Sequence, residues 1–209
     1  MDYSEIPMPG EGGLSTADEE YALRLQFLSR QRYKKILRSV NPYRLHIRKI
    51  CVGRVLDIGC GIGRNLGYLS RPDALGIDHN TVAITLAQAA GFTTLTPTQY
   101  ELEQEKYLES FDTLLISHVL EHLTESESIS LLSSYLPAVK TGGRVIVICP
   151  QERGQASDPT HRTFLDHEAI SLLFDTSGVS QIKHGSFPFP SWFGRFYVYN
   201  ETVVMGVKQ

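Results

Sequence analysis

The sequence predicts a doubly wound α/β fold: a mostly parallel seven-stranded sheet with a C-terminal antiparallel hairpin and N-terminal helices. From residue 54 onward, short apolar runs alternate with helical patterns, which is typical of parallel strands joined by crossover helices. The chain has 209 residues, of which 42% are hydrophobic. That length and composition are enough for one large core and too little for two comfortable domains.

Five apolar runs have the length and branching of buried strands: residues 54–58, 74–78, 92–95, 111–117 and 143–149. A helix is predicted at about residues 166–177. Two further strands follow, near residues 179–184 and 201–207, and their connection is too short for a helical crossover. We therefore expect these last two strands to pair antiparallel.

The N-terminal region divides into two parts. Residues 1–16 are rich in proline and glycine and are expected to form a flexible tail. Residues 17–52 are expected to form a helical lid, because an apolar face repeats with helical spacing up to Val40 and Asn41 and Pro42 then fit the cap and first residue of a short second helix. Residues 53–209 form the main domain.

Charge is distributed unevenly around a net value of −3. Residues 24–54 contain ten Lys or Arg and no acid, whereas residues 55–209 contain 17 acids and 10 bases. The acidic body would repel a long phosphate backbone, so no DNA partner is expected. The basic stretch fits either an ordinary solvated face or a surface that attracts an anionic acceptor or an acidic membrane.

Cysteine usage and the N-terminus both predict a cytoplasmic protein. Cys51, Cys60 and Cys149 are odd in number and contain no Cys-x-x-Cys pair, so neither a disulfide framework nor a zinc site is indicated. The first residues are acidic rather than basic, and no apolar run reaches the length of a membrane span. A transmembrane segment is therefore not expected, and the oligomeric state stays open.

The most informative motif is VLDIGCGIGRN, which contains Asp57, Gly59, Gly61 and Gly63. Glycines at a strand-to-helix turn allow positive φ angles and close approach of a ligand to backbone N–H groups. Asp78 ends the second strand 21 positions after Asp57, where a carboxylate can accept both hydroxyls of a ribose. The G-x-G-x-G spacing departs from the dinucleotide pattern, so a nucleoside-containing cofactor of another kind is indicated.

Together with GIDHN, FDTLLISHVLEHL and GGRVIVICP, this motif resembles the successive motifs of class I S-adenosylmethionine (SAM) dependent methyltransferases of the small-molecule type, over roughly residues 52–184. The resemblance implies SAM as cofactor. It also implies that Asp57 orients the glycine loop, that Asp78 holds the ribose, and that further contacts come from Gly59, Cys60, Gly61, Gly63, His79 and Ser117. Many relatives hold the adenine with an acid after strand three, but residues 93–100 contain none. Backbone groups, Gln99 or Glu101 are the open alternatives.

The catalytic candidates follow strand four and strand five. Methyl transfer needs no enzyme nucleophile, and a base helps only an acceptor that must lose a proton, for which His118 and His161 are the candidates. A cluster of His118, Glu121, His122 and His161 also resembles the Glu-x-x-Glu-His metal group of small-RNA 2′-O-methyltransferases and some quinone-pathway O-methyltransferases. Position 118 is His rather than Glu, and similar segments occur in relatives without metal, so we expect no metal.

An aromatic segment completes the set of candidates. Residues 187–199 contain seven of the 20 aromatic residues, which fits a pocket wall, a dimer contact or an insertion packed on the sheet edge. We expect the chain to be an enzyme that methylates a small-molecule or lipid-linked acceptor, with an anionic acceptor favoured by the basic stretch. An RNA or protein methyltransferase and a non-catalytic SAM-binding protein are the alternatives.

Overall fold

The computed structural model of the chain describes residues 41–209. The predicted tail over residues 1–16 and the predicted amphipathic helix over residues 17–40 lie outside the described residues. The predicted lid over residues 17–52 is therefore described only from Asn41 onward. There, Asn41 caps helix α1, Pro42–Ile50, by accepting hydrogen bonds from the backbone N–H groups of Tyr43 and Arg44, as the sequence predicts.

One seven-stranded sheet forms the centre of the molecule, in the order β3-β2-β1-β4-β5-β7-β6. The first five strands are parallel, and β7 pairs antiparallel with both β5 and β6. The prediction of a mostly parallel sheet with a C-terminal antiparallel hairpin is confirmed. The strands are β1 Val55–Ile58, β2 Leu75–Ile77, β3 Thr94–Leu95, β4 Phe111–Ser117, β5 Val139–Pro150, β6 Val179–Phe187 and β7 Glu201–Lys208.

Helices connect these strands. After α1 they are α2 Arg64–Leu69, α3 Thr81–Ala89, α4 Pro97–Glu103, α5 Glu125–Tyr135, α6 Glu152–Gln155 and α7 His167–Thr176, with short 3₁₀ turns including Leu120–His122 and Ser191–Arg195. The predicted helix at residues 166–177 is confirmed as α7, which Asp166 caps by accepting from the N–H of Ala169. None of the helices between residues 41 and 209 is long and apolar enough to cross a membrane.

The predicted strands differ from the observed ones mainly in length. β5 begins at Val139 rather than at residue 143, because Val139 pairs with Phe111 across an irregularity between Phe111 and Thr113. β6 extends to Phe187, which pairs with Glu201 at the start of β7. The segment between these two residues therefore leaves and re-enters the sheet at the edge where the parallel strands β1, β2, β4 and β5 end.

Side chains of the central strands alternate between two cores, one on each face of the sheet. Leu56, Leu114 and Ile116 pack on one face, whereas Val55 and Leu115 pack on the other. Successive side chains of a strand point to opposite faces, so strands buried on both faces must be apolar throughout. This burial explains why the central strands appear in the sequence as continuous apolar runs rather than alternating ones.

We predict that Gly206→Ala destabilises the hairpin side of the sheet by about 1–3 kcal/mol through overpacking. A Cβ at Gly206 would lie 2.5 Å from Val179 Cγ1 and 2.9 Å from Phe174 Cδ2, both in the buried contact between α7 and the sheet. The matched control is Gly185→Ala in β6, where a Cβ would meet nothing within 4 Å. Urea unfolding of both variants measures the difference, and equal stabilities would contradict the tight packing of Gly206.

Candidate active site

The glycine loop after β1 is fastened to the end of the neighbouring strand. The N–H groups of Gly59 and Cys60 both donate to the carbonyl of Ile77, at 2.8 and 3.1 Å. Gly59, Gly61 and Gly63 have φ angles of 72°, 53° and 84°, the left-handed region that favours glycine. The tight turn predicted for this motif is therefore present at the carboxyl edge of the sheet, the edge at which ligands bind in such folds.

The three glycines differ in what lies above their Cα atoms. Among residues 41–209, a Cβ at Gly61 would meet nothing within 4 Å, so this glycine faces space that the described part of the chain leaves open. A Cβ at Gly59 would meet the Val119 side chain, and one at Gly63 would meet the Phe92 ring. Gly59 and Gly63 therefore let protein side chains pack closely, and a cofactor role for these two residues stays a prediction that concerns their backbone only.

Asp57 lies under the loop and is fully buried. Its Oδ1 accepts a hydrogen bond from Asn65 Nδ2 at 3.4 Å, while its Oδ2 is buried without a hydrogen-bond partner. Burial raises the pKa of Asp57 to about 7, against the opposing hydrogen bond from Asn65. Through Asn65 the side chain joins β1 to helix α2, which fits the predicted role of orienting the loop from beneath.

The Asp78 carboxylate connects the ends of β1 and β2. Its Oδ2 accepts from the N–H of Gly61 at 2.7 Å, and its Oδ1 accepts from the N–H of Asn80 at 2.8 Å. Asn80 in turn caps α3 by accepting from Ala83 N. Each carboxylate oxygen has a second lone pair, so Asp78 can accept further hydrogen bonds from a ligand hydroxyl beside the open face of Gly61. The neighbouring His79 is largely exposed.

Strand β4 delivers Ser117 and His118 to the same edge. Ser117 is buried as the last residue of the strand, and the N–H of His118 donates to Ile148 O in β5. His118 has a φ of 59°, an uncommon angle for a residue with a side chain. Its imidazole Nδ1 lies 3.2 Å from Glu121 Oε1, and its Nε2 lies 2.9 Å from Glu201 Oε1.

This double contact changes the expected role of His118. Burial lowers the pKa of His118, but the hydrogen bonds and negative charges of Glu121 and Glu201 outweigh it and raise the pKa to about 9. The ring is then an imidazolium at neutral pH, with both N–H groups donated to carboxylates. A protonated ring that is held on both sides is poorly suited to accept a proton from an acceptor, so the geometry favours a positioning role over the predicted base role.

Glu201 is not among the functional candidates that the sequence predicts. It lies 83 positions from His118 and heads an antiparallel strand outside the recognised motifs. Only the pairing of β7 with β5, in which Glu201 faces Pro150, brings it to the end of β4. A lone glutamate before an apolar run carries no sequence signal of such a contact.

Of the four residues in the predicted cluster, the structure groups Glu121, His122 and His161, whose ligand atoms all lie within 4.8 Å of one another. His122 Nδ1 contacts the Thr160 carbonyl at 3.3 Å, and His161 Nδ1 contacts the Gln155 carbonyl at 3.1 Å. His122 Nδ1 also lies 3.1 Å from Thr160 Oγ1, whose hydroxyl donates to Asp158. Because a carbonyl only accepts, these contacts favour Nδ1 as the donor of each ring, which leaves Nε2 as the atom that can accept. Burial lowers the pKa of His122, with Glu121 raising it and His161 lowering it further.

These donor types suit a divalent metal, and Glu121 Oε2 is buried without a hydrogen-bond partner. The ligand atoms of a bound tetrahedral ion would lie roughly 3.3–3.5 Å apart, since each ligand atom sits about 2.0–2.1 Å from the ion. In this protein the three ligand atoms lie within 4.8 Å of one another. The Nε2 atoms of His122 and His161 at this edge of the sheet are alternatively positioned to accept a proton. The expectation that the site works without metal therefore stays a prediction.

The remaining candidates are separated from this edge or engaged elsewhere. Gln99 Oε1 accepts from the N–H of Thr96 in a capping box at the start of α4. Glu101 is exposed on the same helix. The helix cap occupies one lone pair of Gln99 Oε1, so backbone groups, Gln99 and Glu101 all stay open as alternatives for holding an adenine.

Comparisons with known proteins bear on this site. Residues 56–145 match the family described as methyltransferase domain. Over 121 residues the chain is 31% identical to the ubiquinone biosynthesis O-methyltransferase of Photorhabdus laumondii, an alignment that covers 52% of this chain and 50% of the relative. The chain thus spans about half the length of this curated relative.

Two solved structures show the same fold. A SAM-dependent methyltransferase from Archaeoglobus fulgidus is 19% identical, with a TM-score of 0.65 over 91% of this chain and 100% of that chain. The [4+2]-cyclase SpnF is 16% identical, with a TM-score of 0.62 over 80% of each chain. At these identities the likeness shows the fold alone, and the two names show that one fold carries different chemistries.

We predict that His118 makes stability depend on pH. Because folding raises its pKa from 6.5 to about 9, its contribution is complete below pH 6.5 and is lost as the pH rises through 9. The free energy of unfolding of the wild type should therefore fall between pH 6.5 and 9 relative to that of His118→Gln, whose amide does not titrate. Urea titrations across this range measure both proteins, and parallel pH profiles would show that His118 is not held as an imidazolium.

Proposed function

We propose that this chain is a class I SAM-dependent methyltransferase that binds SAM and transfers its methyl group to a small-molecule acceptor. The observation that carries the proposal is the pairing of the Asp78 carboxylate with the open face of Gly61, 2.7 Å from carboxylate oxygen to backbone nitrogen. The match of residues 56–145 to a methyltransferase domain supports it. A carboxylate beside an open glycine loop suits a nucleoside with free ribose hydroxyls.

The residues fit the cofactor in a simple arrangement. Asp78 would accept hydrogen bonds from the ribose hydroxyls while it keeps its backbone contacts to Gly61 and Asn80. Gly59, Cys60 and Gly61 would line the methionine part through their backbone, as the family resemblance implies. Ser117 at the end of β4 would lie near the methionyl amino group, and His79 beside the adenine. The Asp57 side chain acts from beneath, through Asn65.

SAM supplies a methyl group on a positively charged sulfur, which an acceptor displaces in line. Positive charge disappears in this step, so the protein contributes mainly by positioning the acceptor and excluding water. An acceptor hydroxyl must also lose a proton. The lone pairs on Nε2 of His122 and His161 are suited to receive it, whereas the His118 imidazolium keeps Glu121 and Glu201 in place. We therefore retain His161 as the proposed base and assign His118 to positioning.

The acceptor class rests on two features. Similarity to an O-methyltransferase over half of that protein favours a hydroxyl acceptor. The ten bases of residues 24–54 favour an acceptor that carries negative charge, held under a lid formed by residues 17–52. Of this lid, α1 is described: Tyr43 Oη donates to Tyr199 O at 2.6 Å, which fastens the helix to the segment that precedes Glu201.

Two other functions would use the same cofactor site: methylation of RNA or protein, and SAM binding without turnover. Adding cell extract to the purified chain separates turnover from binding alone. Conversion of SAM to S-adenosylhomocysteine that requires both the chain and a low-molecular-mass extract fraction supports a small-molecule acceptor. A requirement for the macromolecular fraction would favour RNA or protein, and binding without conversion in any fraction would favour the non-catalytic alternative.

We predict that Asp78→Ala weakens SAM binding by about 1.5–3 kcal/mol, since charge-assisted hydrogen bonds to the ribose are lost. Gly61→Val should weaken it more, because a branched side chain would fill the open space and disfavours the φ of 53°. Asp73→Ala, an exposed aspartate just before β2, is the matched control. Isothermal titration calorimetry compares the variants, and an unchanged affinity of Asp78→Ala would place the ribose elsewhere.

We also predict that methyl transfer requires no divalent metal. Dialysis against a chelator should leave turnover unchanged, because in-line transfer to an oxygen requires positioning and a base rather than a Lewis acid. His161→Ala should lower the turnover rate with chelator present, if this imidazole accepts the proton. Loss of activity in chelator, with recovery on adding a divalent ion, would instead assign Glu121, His122 and His161 as metal ligands.

A further inference from the structure

Two segments that meet at Phe187 present large apolar side chains to solvent. They are α1 and residues 181–199, which together we call the aromatic-basic surface. The exposed fractions are 62% for Trp192, 73% for Phe196 and 66% for Tyr199, and the aliphatic side chains of Leu45 and Ile182 are 60% and 57% exposed. Single exposed apolar residues are ordinary on proteins, but several on adjoining segments indicate a contact surface.

The two segments are in direct contact. The His46 ring stacks on Phe187 with 4.0 Å between centroids, and the Tyr43 ring meets the edge of Phe187 at 5.1 Å. Burial lowers the pKa of His46, Glu201 raises it, and Lys49 from α1 and Lys183 from β6 lower it further. The apolar side chains and the charges of the two segments therefore belong to one continuous region.

The exposed aromatic side chains stand on a fixed scaffold. The buried Asn200 accepts from the N–H of Phe189 at 2.9 Å and donates to Gln151 Oε1 and Pro190 O. Phe193, partly buried, packs against the rings of both Phe189 and Trp192, at 4.8 and 4.9 Å. The segment is thus held in one shape while Trp192 and Phe196 point away from the core. The contacts that fix this segment therefore do not explain why Trp192 and Phe196 are exposed to solvent.

The charged residues within these two segments are all basic. Residues 42–50 and 181–199 contain five Lys or Arg and no Asp or Glu, although residues 55–209 as a whole are acidic. The five are Arg44, Arg48, Lys49, Lys183 and Arg195. Arg48 is engaged with Tyr68 O and Ser70 Oγ, and Arg195 lies 3.8 Å from Glu152, whereas Lys49 and Lys183 are exposed. In the sequence, residues 24–40 before α1 contain six more bases and no acid. An anionic partner is complementary to this region.

We propose that the aromatic-basic surface docks the protein onto the surface of an anionic lipid bilayer. Tryptophan, tyrosine and phenylalanine favour the boundary between headgroups and acyl chains, and nearby bases add attraction of about 1 kcal/mol each to acidic lipid. The exposed Leu45 and Ile182 suit hydrocarbon and give little to a nucleic acid, which binds by stacking on aromatic rings. A second copy would bring two basic surfaces together, which their charges oppose.

Lipid docking would be a property separate from methyl transfer, and the position of the aromatic-basic surface relates it to the candidate active site. The segment between Phe187 and Glu201 enters and leaves the sheet where the parallel strands end, and Glu201 contacts His118. Docking through this segment would hold the candidate active site close to the bilayer. Lipid binding can be measured without SAM, so a failure to bind lipid would not count against the proposed cofactor site.

Trp192 is the single tryptophan of the sequence, so its fluorescence reports on this surface alone. With the full chain, vesicles of phosphatidylcholine and phosphatidylglycerol should shift the emission to shorter wavelength and protect it from acrylamide. Pure phosphatidylcholine vesicles should have little effect, and high salt should reverse the change. Absence of a shift with anionic vesicles would overturn the proposal.

Variants locate the contact. Phe196→Ser should weaken binding to anionic vesicles on the order of tenfold, and Lys183→Glu by at least about fivefold. Leu102→Ser and Lys106→Glu are the matched controls, since both residues are exposed near α4 at the opposite edge of the sheet and should bind as the wild type does. Circular dichroism checks that each variant is folded. Equal binding by all four variants would contradict the assigned surface.

Three further results would replace the lipid by another occupant. If the Trp192 emission of the full chain is already blue-shifted and resistant to acrylamide without vesicles, residues 1–40 cover the surface. A shift that depends only on protein concentration would mean that a second copy does. A shift with a single-stranded oligonucleotide, but not with anionic vesicles, would indicate nucleic acid. Each of these outcomes would overturn the proposal.

Discussion

The hydrogen bond between the Asp78 carboxylate and the Gly61 N–H is the interaction on which the candidate site depends. It joins the loop after β1 to the end of β2, while the second carboxylate oxygen holds the N–H of Asn80 at the start of α3. One side chain thus sets the relation between two loops that belong to different crossovers. These backbone donors fix the orientation of the carboxylate, and a carboxylate oxygen can accept more than one hydrogen bond.

The antiparallel hairpin completes the site from the other side. β7 lies against β5 and places Glu201 beside His118, whose backbone is already held in the left-handed region by its N–H bond to Ile148. The imidazolium between Glu121 and Glu201 ties the end of β4 to the start of β7. Removing either carboxylate would leave the His118 imidazolium with a single negative partner. We therefore regard His118, Glu121 and Glu201 as one unit. The proposed cofactor side and the proposed acceptor side of this edge are therefore set by separate contacts.

Most of the fold could be predicted from local patterns, because every strand buried on both faces must be apolar and every crossover needs a helix. The positions of Gly61 and Asp78 also followed from the sequence, since a strand-to-loop turn and a strand end are both readable there. Tertiary contacts could not be read in this way. A side chain at position 63 would collide with the Phe92 ring, and Gln99 Oε1 accepts a hydrogen bond in a helix cap. His118 contacts a glutamate 83 positions away in the sequence.

We propose that Asp78 and Gly61 form the nucleoside end of a SAM site, and a crystal structure of the chain with S-adenosylhomocysteine is the sharpest test of this assignment. We expect both ribose hydroxyls on the Asp78 carboxylate, with the amino-acid part passing over the open face of Gly61 toward Ser117. A ligand bound away from the ends of β1 and β2, or ribose hydroxyls held by other side chains, would contradict it.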